Sequence, residues 1–410
     1  MEEKDKMEKI ISLAKRRGFI YQGSEIYGGL AGTWDYGPLG VELKNNIKNL
    51  WWKMFVKSRD DMYGLDAAII MNPKVWESSG HVATFADPLD DGRKFNTMFK
   101  TTVGAGEEAT VSYLRPETAQ GIFANFKNIV DSFHPKLPFG IGQIGKAFRN
   151  EIAPRDFIFR SREFEQMEVE YFVKESEWEK AFDMWRSEMH KWMDAIGLTK
   201  AAVHELEVPG EDRAHYSKRT IDFEFDFPFG RKELYGLAYR TDYDLGAHAK
   251  GSGVALEYFD EETGERTTPH VIEPSLGVER TLLAVLVSAY TEDEQNGEVR
   301  AFLKLPKALA PVKAAVFPLL KNKPELVAKA REIFETLKAS VGDIAWDDNG
   351  NIGKRYRRQD EIGTPVCITI DFDTLGENPE LLNTVTVRDR DTGEQKRVNI
   401  DELDGLLSSK

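Results

Sequence analysis

Apolar residues recur at helical spacing in two places near the start of the chain. Met7, Ile10, Ile11 and Ala14 predict a helix over 5–17, and Leu43, Ile47, Leu50, Trp51 and Met54 predict a longer one over about 39–57. The apolar run Leu65–Met71 then predicts a strand that Asn72-Pro73 ends, because proline cannot donate to a sheet ladder. Strand-like segments return around 94–103, 109–115, 140–151 and 159–173. A helical insertion over about 175–196 carries Trp178, Trp185 and Trp192 at spacing seven, which places them on one face as core packing. Strands are predicted again at 220–228, 233–239, 254–260 and 269–275, and a helix at 277–292. Strands interrupted by helices, without regular alternation, predict a large, mainly antiparallel sheet with helices packed on it.

The pattern changes after a boundary near Leu305-Pro306 to Pro311-Val312. A strand at Val312–Phe317, a helix at 324–339 (Leu326, Ala330, Ile333, Leu337) and strands at 364–372 and 383–389 read as a compact α/β domain with a parallel component. No internal repeat, heptad array or low-complexity segment interrupts this arrangement.

Composition narrows the class. A length of 410 residues suits two or three domains, and 41% hydrophobic with 30% charged residues describes an ordinary globular chain. The apolar run Leu282–Val287 is far too short to span a bilayer, and the charged start, Met1 to Lys6, lacks an apolar signal core. One cysteine, Cys367, excludes an intrachain disulfide and any cysteine-rich zinc site. The expectation is a cytoplasmic protein without membrane contact. A net charge of −14 argues against indiscriminate nucleic-acid binding. The local cluster Lys354, Arg355, Arg357 and Arg358 around Tyr356 reads either as a solvated strand end or as an RNA contact.

The strongest chemical signal is Phe148-Arg149-Asn150-Glu151, followed by Phe159 to Glu168. Read as two strands, it puts Arg149 and Glu151 on one face of the first, and Arg160, Arg162, Phe164, Gln166 and Glu168 on one face of the second. Cations, an aromatic plane and carboxylates on one surface suit a ligand with phosphates, a flat base and an ammonium group. Five further clusters stand out, each with a structural reading of its own. The glycines of Gly28 to Gly40 serve tight turns, and Glu117 in Arg115-Pro116-Glu117-Thr118-Ala119-Gln120 favours a helix N-terminus. Glu233 lies on a strand leading to Arg240-Thr241-Asp242-Tyr243-Asp244, and Glu273 and Ser275 of His270–Ser275 face the same way on a strand. Arg280, in Gly277-Val278-Glu279-Arg280, opposes the dipole of the helix it begins, which a bound anion rationalises.

In their order along the chain these segments resemble motifs 1, 2 and 3 of the class II aminoacyl-tRNA synthetases. Ser24–Gly29, Trp34–Gly40, Arg115–Gln120 and Arg162–Glu168 resemble glycyl-tRNA synthetase of the homodimeric, bacterial type over nearly the whole chain. The resemblance implies an α+β fold: a class II antiparallel-sheet catalytic core with flanking helices at 1–305, a helical insertion at about 174–220, and a C-terminal α/β anticodon-binding domain at 311–410. It implies the substrates glycine, ATP and tRNA(Gly), with Mg²⁺, in a cytoplasmic homodimer. The family activates glycine as glycyl-adenylate and passes it to the terminal adenosine of tRNA. No protein nucleophile takes part, so positioning and cations carry the catalysis.

Residue by residue, Arg149 matches the arginine at the α-phosphate and the amino-acid carboxylate, and Arg280 the motif 3 arginine beyond the nucleotide; these are the expected catalytic residues. Phe164 matches the aromatic that stacks on adenine, and Glu151 and Arg160 match further ATP contacts. The implied nucleotide site also takes in Asn150, Phe159, Ser161, Arg162, Glu163, Glu233, Leu234, Gly277, Val278 and Glu279. Glu233 and Glu273 match positions that hold Mg²⁺. Glu117, Glu168 and Ser275 match glycine-binding positions, within a site that also takes in Phe164, Glu165, Gln166, Met167, Glu273 and Gly277. Two carboxylates suit an ammonium, and crowding at the α-carbon rejects anything larger, so no editing domain is expected. Lys354, Arg355, Arg357 and Arg358 fall in the implied anticodon domain.

One departure stands out. Bacterial relatives carry an insertion, often with cysteine pairs, where only Leu89-Asp90-Asp91-Gly92-Arg93 joins Asp87-Pro88 to Lys94-Phe95-Asn96. Zinc is therefore not expected, and acceptor-stem contacts are reduced or come from elsewhere. The alternative reading is a non-catalytic, synthetase-like RNA-binding or regulatory protein. Such paralogues usually lose the motif 2 or motif 3 arginine, whereas Arg149 and Arg280 are present here.

Overall fold

Both N-terminal helices form where the apolar stripes predict them. In the computed structural model, which describes residues 3–89, 92–295 and 297–408, helix α1 spans Glu3–Arg16 and α2 spans Pro38–Trp52. Pro38 starts α2, where a missing N–H costs nothing, and the chain continues into one wider turn at Lys53–Lys57. Leu43, Ile47 and Trp51 bury the α2 stripe against a seven-stranded sheet.

The strands of that sheet are β1 (Met62–Gly64), β2 (Phe139–Phe148), β3 (Glu163–Val173), β4 (Val203–Glu207), β5 (Arg219–Phe227), β6 (Gly230–Thr241) and β7 (His270–Gly277), in the order β4-β5-β6-β7-β3-β2-β1. All neighbours are antiparallel except β1 and β2. Period-two alternation divides the residues between the two faces. Met167, Val169 and Tyr171 of β3 and Ile272 and Leu276 of β7 enter the main core with α2 and the helix Val278–Ala289. Trp185 and Trp192 are buried in the same core, while Trp178 stacks on Tyr239 at 4.2 Å, so the tryptophan stripe packs the fold.

The opposite face is split. At one end Phe172, Phe139, Ile141 and Val271 are covered by Ile122, Phe123 and Phe126 of the helix Ala119–Phe133. Beyond that cover the same face carries Gln166, Glu168 and Glu170 of β3 and Glu273 and Ser275 of β7. One strand pair thus supplies a hydrophobic anchor and a polar floor.

Several predicted boundaries move. Leu65–Met71 is not a strand: β1 lies just before it, and apart from one bridge between Ile70 and Leu114 the run makes no ladder. Side chains satisfy its backbone instead, with Gln143 Oε1 accepting from Ala67 N at 2.9 Å and Arg115 donating to Ala67 O at 2.8 Å. Pro73 then begins a short helix that Asn72 caps. The 140–151 and 159–173 strands are shorter than predicted, because the chain leaves the ladder at Phe148 and rejoins it at Glu163. Asp156 and Phe157 both have left-handed backbone (φ 60° and 57°), which no strand tolerates. Residues 94–103 form two short strands, Lys94–Asn96 and Lys100–Val103, and 254–260 forms only Tyr258–Phe259.

The hairpin Tyr290–Gln295 and Glu298–Leu303 leads to a second, five-stranded sheet. Its order is Ile344–Trp346, Ala314–Pro318, Val366–Ile370, Thr384–Asp389, Gln395–Asn399, parallel in the first three strands and antiparallel beyond. It has its own core, in which Leu326, Ala330, Ile333 and Leu337 line the predicted helix. The Lys354–Arg358 cluster is no strand end but part of the helix Ile352–Ile362. Arg300 of the hairpin and Arg388 of the second sheet both reach Asp360 of that helix, at 3.1 and 2.8 Å, in a buried ion cluster.

Candidate active site

Sheet register assembles the floor of the site. Gln143 of β2, Glu168 of β3, Ser275 of β7, Gly236 of β6 and Asp222 of β5 lie opposite one another in a row. Above the row opens a cavity of about 370 Å³. A Cβ at Gly236 would project into that space, so glycine keeps the floor low. At Gly145 a Cβ would lie 2.1 Å from the Arg115 guanidinium. Glycine there lets Arg115 cross to Ala67 O and Lys146 O, which fixes the backbone entering Pro116-Glu117.

One end of the cavity is acidic and fully organised. Glu168 accepts hydrogen bonds from Ser275 Oγ at 2.8 Å and from Thr118 Oγ1 at its other oxygen. Glu117 accepts from Gln120 at 2.9 Å, and its second oxygen lies 3.2 Å from His81 Nε2. Gln120 also donates to Asp244, and Arg240 bridges Asp244 and Glu273 at 2.7–2.9 Å. Glu117, Glu168, Glu170, Asp244 and Glu273 are all buried around a single arginine, Arg240. Burial raises Glu117, but the charge and hydrogen bond of His81, with Arg240 and Gln120, outweigh it and hold the carboxyl far below the usual range. Burial and the Glu117 charge push Glu168 up, against the bonds from Thr118 and Ser275. Glu273 is also pushed up, by burial and by Glu168 and Glu117, and Glu170, whose two oxygens find no partner, rises with it. Oxygens of Glu168, Glu170 and Glu273 lie within 4.8 Å of one another. Such an excess of buried carboxylates suits a cationic ligand.

The other end is cationic and more open. The Arg149 guanidinium lies between the Phe85 and Phe164 rings, 5.3 Å from each centroid, and donates to Pro116 O at 3.0 Å. Arg160 pairs with Glu151 at 2.6 Å and approaches Asp87 at 3.5 Å. Arg280 lies 4.6 Å over the Phe159 ring and pairs with Glu233 at 3.3 Å. Asp222, beside Glu233 and Glu224, is pushed up to about 6 by burial and by those two charges.

Most of the expected residues line this one cavity: Glu117, Arg149, Glu151, Phe159, Arg160, Ser161, Phe164, Gln166, Glu168, Glu233, Leu234, Glu273, Ser275, Gly277 and Arg280. Others are drawn elsewhere by strand alternation or by their own bonds. Glu165 pairs with Lys44 and Lys48 on the far face of β3, and Met167 is in the core. Glu163 pairs with Lys146, and Val278 packs in the core. Glu279 reaches the cavity edge, but its oxygens bind Lys44 at 2.7 Å and the Glu165 amide at 2.8 Å. Arg162 holds the carbonyls of Glu151 and Ala31, and the Asn150 amide donates to Thr97 O. Apart from the edge contact of Glu279, these seven brace the site without entering it.

Glu233 and Glu273 do not form one metal site. Ala238 is opposite Glu273, so Glu233 lies five residues along β6, roughly 16 Å away at strand rise. Glu273 is moreover taken by Arg240. In the helix Ile352–Ile362, Arg355 is buried and donates to Pro318 O, Asp348 O and Gly350 O, Arg357 pairs with Glu298, and Arg358 with Asp347. Only Lys354 of the four stays exposed. Asp90 and Asp91 of the shortened connection lie outside the described residues, while Leu89 and Arg93 close the ribbon Ala86–Pro88 and Lys94–Asn96.

Residues that sequence reasoning missed include His81, Phe85, Thr118 and Asp222. Only Thr118 carried a signal, inside the motif that contains Glu117. Among the described residues no helix is long and apolar enough to cross a membrane.

The comparisons with known proteins agree with this geometry. Residues 99–289 match the tRNA synthetase class II core domain (G, H, P, S and T), and residues 313–410 match an anticodon binding domain. The fold is that of a class II aminoacyl-tRNA synthetase. The chain is 45% identical to the glycine–tRNA ligase of Thermus thermophilus (98% of each chain covered), 47% to that of Streptomyces coelicolor (99% and 98%) and 48% to that of Geobacillus thermodenitrificans (100% and 99%). It belongs to the glycine–tRNA ligase family. Those alignments run over 498, 460 and 472 positions against a chain of 410, so the relatives carry segments that this chain lacks.

Proposed function

We propose that this enzyme joins glycine to ATP as glycyl-adenylate, releasing pyrophosphate, and then transfers glycine to the 3′ end of tRNA(Gly). The observation that carries the reading is a single cavity with buried carboxylates at one end and arginines between aromatic rings at the other. In the first step a glycine carboxylate oxygen bonds to the α-phosphorus and the bond to the bridging oxygen of pyrophosphate breaks. In the second, a terminal ribose hydroxyl oxygen bonds to the glycyl carbonyl carbon, the bond from that carbon to the phosphate oxygen breaks with its electrons leaving on AMP, and the hydroxyl proton passes to the departing phosphate or to water.

Glu117, Glu168 and Ser275 hold the ammonium in this reading, and the crowded floor excludes side chains. Arg149 draws the glycine carboxylate and the α-phosphate together and stabilises the charge that builds between them. Phe164 offers its ring to adenine, and Arg280 leaves Glu233 to meet the far phosphates. Asp222 and Glu233, two neighbouring carboxylates at that end, fit Mg²⁺ better than Glu233 with Glu273; the ion supplies charge neutralisation to the phosphates. Residues 1–305 form the catalytic unit and 311–410 the anticodon-binding unit, with Lys354 the member of the basic cluster free to meet RNA. Ile26 and Tyr27, 89% and 86% exposed in the Ser24–Gly29 segment, support a homodimer through that face. The reading also includes a cytoplasmic location and no bound zinc.

Glycine-dependent exchange of pyrophosphate into ATP, run beside aminoacylation of total tRNA, tests the proposal. Exchange with glycine and not with alanine is expected. Absence of exchange, with tRNA still bound, would favour the non-catalytic alternative.

A further inference from the structure

The bonding at the acidic end singles out a residue outside every motif that defines the site. His81 begins the short helix His81–Thr84 and is nearly buried. Its Nδ1 lies 2.8 Å from Ser79 Oγ and its Nε2 3.2 Å from Glu117 Oε2. Trp76 meets the ring edge-on at 5.4 Å and Phe85 lies at 5.3 Å, tilted. Asn96 donates to the His81 carbonyl at 3.2 Å, which ties the helix start to the neighbouring ribbon. The ring therefore has little freedom to rotate.

This fixes the direction of one bond. A carboxylate can only accept, so Nε2 carries the proton whichever form the ring adopts, and Ser79 completes the bonding at Nδ1. Glu117 is then contacted at both oxygens, by a hydrogen bond from Gln120 at Oε1 and by the His81 ion-pair contact at Oε2. Its remaining lone pairs have fixed directions before any ligand arrives. Phe85, four residues on, also flanks Arg149. The segment from Ser79 to Phe85 thus touches both the acidic and the cationic end of the cavity.

We propose that His81 is a positioning residue for glycine: it orients Glu117 toward the amino group and contributes to the selection of glycine without touching it. The inference rests on the reading of Glu117 as a ligand of the glycine ammonium. Its consequence is selective. Loss of the Nε2 donor should weaken glycine binding and leave ATP, bound at the far end, largely unaffected.

Two polar substitutions separate this role from general packing. Asparagine at position 81 reaches about as far as Nδ1 and keeps Ser79 but not Glu117, whereas the longer glutamine amide reaches about as far as Nε2. In glycine-dependent pyrophosphate exchange, His81→Asn should raise KM for glycine roughly 10- to 100-fold, the range for loss of one charge-assisted hydrogen bond. His81→Gln should stay within about threefold of the wild type, and KM for ATP should move less than about twofold in both. Equal effects of the two variants on glycine, or a parallel rise in both KM values, would overturn the inference. If either variant fails to fold by circular dichroism, His81 is a structural residue and the inference is likewise overturned. Wild-type enzyme without glycine-dependent exchange would count against the proposed function instead, so the two failures are distinguishable.

Discussion

The two ends of the cavity solve different problems. At the acidic end the buried side chains are linked in a continuous run from Ser79 through His81, Glu117, Gln120, Asp244 and Arg240 to Glu273, with Glu168 held separately by Thr118 and Ser275. At the cationic end the arginines are half-buried and carry ion pairs with Glu151 and Glu233 that a phosphate can displace. Glycine offers only an ammonium and a carboxylate, so its site gains affinity by being organised in advance. ATP brings many charges, and its site can rearrange, since exposed ion pairs cost little to break. Rigidity is placed where the ligand is smallest.

Four substitutions test this contrast. The largest effect is expected at the junction of the two ends. Arg149→Ala should lower kcat/KM for pyrophosphate exchange by ~10²–10³ or more, as for other groups that meet developing charge, with the thermal midpoint little changed. A loss smaller than tenfold would remove Arg149 from the reaction. Next, Glu168→Gln should raise KM for glycine by roughly 10²-fold, since it removes a charged partner of the ammonium; a matching rise for ATP would mean that the ends are not independent.

A smaller effect belongs to the C-terminal α/β unit. Lys354→Glu should weaken charging of tRNA by about threefold to tenfold, in line with one phosphate contact, and leave exchange unaltered. Equal loss of both activities would sink the anticodon role. The smallest effect is a pH signature at the cationic end. The Asp222 carboxyl is raised to about 6 by burial and by Glu233 and Glu224. Below its unfolded value near 3.8 both states are protonated and nothing is lost, whereas above about 6 the folded state carries a disfavoured charge. Asp222→Asn should therefore match the wild type in stability near pH 4 and exceed it by about 1–3 °C near pH 7. Magnesium should narrow that gap. A gap independent of pH would show that Asp222 is not strained.

The legible part of the site follows strand periodicity. Gln166 and Glu168 share a face of β3 as alternation requires, and Glu273 and Ser275 share one on β7, because an antiparallel ladder leaves side chains no other choice. Alternation also decides against Glu165 and Met167, which lie between them in sequence and on the other face in space. Extending the same rule through Arg149, Glu151, Arg160 and Arg162 fails in part. The chain leaves the ladder at Phe148, and two left-handed residues in the loop set those side chains individually. Arg355 misled for a different reason: a cationic run in sequence does not reveal which members are bonded inward.

From the sequence alone come the helices with apolar stripes, the antiparallel sheet, the second α/β unit and the family to which the motifs belong. These depend on local periodicity and on residue types at short spacing, both of which can be read along one dimension. The separation of Glu233 from Glu273, the support of Glu117 by His81 and the placing of Arg149 between Phe85 and Phe164 depend on register across strands and on contacts between distant segments. Those distances are settled only when the chain closes its core, and with them the division of the cavity into an ordered end and an adaptable one.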